Sequence, residues 1–112
     1  MSIKADVENI LIQLNYPVNV STIKQLEDII ANTPNFYDFA KHIFSLNDDL
    51  KKYDATVAMS NSNNYLKLKC DSKNNDEIKE FEKTINLWST KYKVSLKQVE
   101  NKNTYYILGK NS

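Results

Sequence analysis

Apolar positions recur every three or four residues through the first half of the chain. In much of the second half they recur every second residue. Ile3, Val7, Ile10, Leu11 and Leu14 fall on one face of a short helix. Asn15-Tyr16-Pro17 ends it, because proline disfavours helical backbone in the residue before it. Ile23, Leu26, Ile29 and Ile30 predict a second helix opening near Ser21-Thr22, with Thr22 and Gln25 as a capping box. Thr33-Pro34 predicts an N-cap and a first-turn proline for a third helix. Its stripe runs through Phe36, Phe39, Ile43, Leu46, Leu50 and Tyr53, broadened by Ala40 and Phe44.

The period shortens after Asp54. Ala55, Val57 and Met59 alternate with Thr56, Ala58 and Ser60, while Leu66, Leu68 and Cys70 alternate with Tyr65, Lys67 and Lys69. The polar run Ser60 to Asn64 between them predicts a hairpin, whose second strand has one apolar and one basic face. Asn74 with Glu77 caps a fourth helix that carries Ile78, Phe81, Ile85, Trp88 and Tyr92 on one side. Segments 94–100 and 104–108, joined by Asn101-Lys102-Asn103, predict a second hairpin. The expected fold is α+β, a single domain over residues 1–112. An N-terminal three-helix segment (1–53) packs on a ββαββ unit (54–109) with a four-stranded antiparallel sheet, and 110–112 form a frayed tail. The pattern leaves open the strand order and whether the first three helices cover the sheet's second face.

Composition removes several chemistries. Gly109 is the sole glycine, which excludes glycine-rich phosphate cradles. One cysteine, Cys70, and one histidine, His42, exclude an intramolecular disulfide and a thiolate zinc cluster. No apolar run approaches the ~20 residues of a membrane span, and Asp6 and Glu8 sit where a secretory leader would be apolar. A cytoplasmic protein with no membrane association is expected. All fifteen basic residues are lysine, so bidentate guanidinium contacts are absent while point-charge attraction to phosphate remains.

Three groups of side chains carry candidate chemistry. Asp38, His42 and Asp49 share a flank of the third helix at spacings of four and seven. A carboxylate-oriented histidine can act as a base, but no nucleophile or second soft ligand accompanies it, so a surface pair is the expected role. Cys70 shares its strand face with Leu66 and Leu68, which predicts a buried, inert thiol. Tyr65, Lys67 and Lys69 on one hairpin, with Lys97, Lys102 and Tyr105 on the other, combine rings that stack on bases with cations that neutralise phosphate.

Seven tyrosines in so short a chain also suit a protein-contact surface. The leading expectation is therefore a non-enzymatic interaction, adaptor or regulatory protein, its partner another protein or a second copy of itself. The alternative is a small lysine-dependent nucleic-acid-binding protein that uses the basic, tyrosine-bearing face. No catalytic centre, cofactor or metal is expected under either.

Overall fold

The computed structural model describes residues 3–110, with side chains from Asp6 onward. The side chain of Ile3, expected in the first stripe, is not among those described, and the tail beyond Lys110 lies outside the described residues. Helices α1 (Ile3–Gln13), α2 (Val20–Ala31) and α3 (Phe36–Leu50) come first, and a 3₁₀ turn at Lys51–Tyr53 extends α3. Strands β1 (Ala55–Met59) and β2 (Leu66–Cys70), helix α4 (Asn75–Tyr92), and strands β3 (Val94–Gln98) and β4 (Thr104–Lys110) follow. The class is α+β, with the three helices ahead of a ββαββ unit.

Two helix starts differ from the sequence reading. Asn19 is the N-cap of α2, its side chain accepting from Thr22 N at 2.9 Å while Thr22 Oγ1 accepts from Asn19 N at 3.1 Å. Thr22 is thus the third helical residue of the capping box, not its first member. Thr33 does not cap α3, because its hydroxyl donates to Ile29 O at 2.6 Å in the last turn of α2. Asn35, in the left-handed region at φ 58°, precedes Phe36 instead. At α4 Asn74 caps as expected, its Oδ1 accepting from Asp76 N and Glu77 N. Glu77 Oε1, however, accepts from Ser72 Oγ at 2.7 Å and Asn74 N donates to Ser72 Oγ, so the box does not close.

The two hairpins join through β2 and β4 into an antiparallel sheet of order β1-β2-β4-β3. The register sets the faces. Ala55, Val57 and Met59 pair with Cys70, Leu68 and Leu66, and Leu66 pairs with Ile107; all are buried. Between them Thr56, Ala58, Lys67, Lys69, Thr104 and Tyr106 point the other way and stay partly exposed. One core joins the buried strand residues to Val7, Leu11, Leu26, Ile29, Phe39, Ile43, Leu46, Phe81, Ile85 and Trp88. Helices from both halves of the chain therefore cover one face. The other is bare.

Strand β4 reaches Lys110, where the sequence reading places a frayed tail from that residue. Lys110 N donates to Pro34 O at 3.0 Å, and Asn35 Nδ2 donates to Lys110 O at 2.8 Å. The corner between α2 and α3 thereby continues the ladder. Gly109 makes this approach feasible: at φ +130° a Cβ would stand 2.7 Å from Pro34 Cδ and 2.9 Å from Pro34 O. At the β1 edge, Val57 N donates to Asn47 Oδ1 (3.0 Å) and Met59 N to the Tyr16 hydroxyl (2.8 Å). These contacts occupy outward N–H groups of β1 and blunt an edge that could pair with another chain.

Candidate nucleic-acid interface

The bare face is organised in rows across the strands. Ala58 pairs with Lys67, Lys67 with Tyr106, and Tyr106 with Lys97, so one tyrosine at the sheet's centre has a lysine on each side. A second row runs from Thr56 through Lys69 to Thr104. Tyr65, one residue ahead of β2, brings its ring to 5.5 Å from that of Tyr106 at 32°. Lys102 stands in the β3–β4 turn. Lys69 is 3.8 Å from Asp71, whereas Lys67, Lys97 and Lys102 make no ion pair among the described residues. Three cations therefore remain without a carboxylate partner.

The loop between β1 and β2 is fixed from behind and shapes one end of this face. Gln25 Nε2 of α2 donates to Ser60 O at 3.1 Å, and Asn32 Nδ2 donates to Asn64 O at 3.0 Å. From the loop, Asn63 Nδ2 donates to the Tyr106 oxygen at 3.0 Å and the Ser62 hydroxyl lies 3.4 Å away. Hydrogen bonds from Ser62, Asn63 and Ser60 stabilise the phenolate and, with the charge of Lys67, lower the Tyr106 pKa to about 8. Beside it lies a depression of about 270 Å³.

Five of the six residues expected on this surface can face it: Tyr65, Lys67, Lys69, Lys97 and Lys102. Tyr105 does not. It pairs with Leu68 on the covered side, its ring is 6.0 Å from Phe81, and burial, then Glu82, raises its pKa. Tyr106 occupies the place given to it. The buried Ile107 fixes the parity of β4: residues two apart share a face, so Tyr105 must join Ile107 inside. That signal was available in the sequence through the apolar partner, but two adjacent tyrosines mask it.

The His42 group assembles only in part. His42 stacks on Tyr92 with ring centroids 3.8 Å apart at 14° and shares a groove between α3 and α4 with Asp49. Asp38 is exposed away from that groove, and no hydrogen bond or ion pair among the described residues links either carboxylate to the imidazole. Desolvation, then Lys41, Lys91 and Lys110, lowers the His42 pKa, opposite to what an orienting carboxylate would do. Cys70 is buried, its thiol donating to Tyr53 O at 3.4 Å, and desolvation raises its pKa. Among the described residues no group of three or more His, Cys, Asp or Glu is placed to hold a metal ion, and no helix is long and apolar enough to cross a membrane.

Compared with known proteins, the chain matches no family model, no curated protein and no solved structure. The functional reading therefore rests on the face itself.

Proposed function

We propose that this protein binds single-stranded nucleic acid on the open face of its sheet. One observation carries the reading: Lys67, Tyr106 and Lys97 stand side by side across β2, β4 and β3 with no helix over them. Tyr106 and the neighbouring Tyr65 offer rings on which unpaired bases stack, while the three unpaired lysines neutralise phosphates. Stacking of this kind needs bases released from a duplex, which favours single strands. Without arginine the surface lacks bidentate contacts to guanine, so binding is tolerant of sequence. A cytoplasmic location belongs to the same reading, because nucleic acid is met there and a lone thiol stays reduced.

Calorimetric titration with a short single-stranded oligonucleotide tests the proposal. Three phosphate contacts give a log–log salt slope of roughly −2. Tyr106→Ala weakens binding at least about fivefold by removing a stacking platform. Absence of heat and of retention on immobilised single-stranded DNA at 50 mM salt, roughly the low end of the useful range, would sink it.

A second reading, a protein partner or a second copy of the chain, has one feature in its favour. Leu87 on α4 is 63% exposed beside the α3–α4 groove. If a copy docks there, Leu87→Asp converts a dimer to monomer without touching the sheet face. Light scattering that gives a monomer for the unaltered protein rules out self-association.

A further inference from the structure

We infer that the depression beside Tyr106 is a subsite for a terminal phosphate monoester, the phosphorylated end of a bound strand, so the inference rests on the reading above. Its polar lining comes from Ser60 and Ser62 of the β1–β2 loop, Lys67 of β2, Lys102 of the β3–β4 turn, and Thr104 and Tyr106 of β4. The antiparallel order puts the two connections at opposite ends of the sheet, so the trough running beside β4 has a loop at each end. A strand lying along the row Lys67, Tyr106 and Lys97 can set its end in this trough.

Charge points the same way. A monoester carries about −1.5 to −2 at pH 7, against a single charge on an internal phosphodiester. Lys67 and Lys102 both line the depression, neither makes an ion pair among the described residues, and no carboxylate is in the wall. Two uncompensated cations match a dianion better than a monoanion. The Thr104 hydroxyl adds a donor for the extra oxygen of a monoester. A volume near 270 Å³ falls just below the ~300–1,000 Å³ of sites for larger ligands, and suits one phosphate with its sugar. The loop is held in place by Gln25 and Asn32, so the subsite is preformed.

The experiment compares one oligonucleotide sequence in three forms, with a 5′-phosphate, with a 3′-phosphate and with neither, by competition against a labelled strand. Inorganic phosphate and a nucleoside monophosphate serve as further competitors. One phosphorylated form is expected to bind about tenfold tighter than the unphosphorylated strand. Lys102→Gln is expected to weaken every form but to remove most of that preference, read as the ratio of phosphorylated to unphosphorylated affinity. Equal binding of all three forms overturns the subsite and leaves strand binding standing. No binding by any form removes the strand reading with it. Inorganic phosphate or the monophosphate binding as tightly as the phosphorylated strand would show a site for a free small anion and would overturn the assignment to a strand end.

Discussion

A chain with one glycine must make its left-handed turns from other residues. Asn15, Asn35, Asp54, Lys93 and Asn101 all adopt positive φ. Asparagine and aspartate tolerate this region through local hydrogen bonding, but lysine does not. Lys93 ends α4 at φ 58°, its N–H bonded to Ser89 O and its side chain exposed. Lys93→Gly should therefore stabilise the fold by about 0.5–1 kcal/mol, raising the thermal midpoint by a few degrees. Tyr106 is the other residue with a consequence of its own. Its folded pKa of about 8 lies below the value near 10 of the unfolded chain. Its contribution to stability is thus absent below pH 8, grows as pH rises through 8, and is complete above about 10. In near-ultraviolet absorbance one tyrosine should ionise well ahead of the rest, and Tyr106→Phe should abolish that early step. Phenolate repels phosphate, so strand affinity should fall through the same pH, and remain flat in Tyr106→Phe.

At the scale of elements, β4 is held by more than its neighbours in the sheet. The Pro34 corner extends its ladder, and Gly109 leaves no room there for even a methyl group. Gly109→Ala should cost about 1–3 kcal/mol, seen as a lower midpoint in chemical denaturation with an unchanged slope. The elements themselves were legible in the sequence wherever a periodic stripe was long: α3, α4 and both strands of the first hairpin follow their apolar spacing. The ends were less so. Thr33 has the side chain of a cap, yet it bonds backward into α2, and only the fold decides which direction a threonine hydroxyl takes. Lys110 belongs to β4 and not to a tail because the Pro34 corner supplies its partner, a contact that spans the fold. Tyr105 and Tyr106 could be told apart only by counting from Ile107. Asn47 and Tyr16, which close the β1 edge, leave no sequence signature, since both bonds span the fold.

The whole molecule is lopsided: its helices gather on one side of the sheet, and Lys67, Lys69, Lys97, Tyr65 and Tyr106 stand on the other. The separation makes the surface independent of the core. Lys67→Glu with Lys97→Glu should abolish strand binding while the thermal midpoint moves by less than about 2 °C, because surface substitutions away from packed features usually stay within about 0.5 kcal/mol. A large drop in the midpoint would mean that these lysines serve the fold. The layered arrangement was only half visible beforehand, since hydrophobic rhythm says which residues of a strand are inside but not which helices come to cover them. The same lopsidedness settles what can be seen optically. The lone indole, Trp88, lies in the helical layer against Phe39 and donates to His42 O at 3.1 Å. Its emission should follow the loosening of that layer and ignore anything that lands beyond the strands, whereas Tyr65 and Tyr106 should dim as bases cover them. The two chromophores thus read folding and occupancy on separate channels, with no label attached.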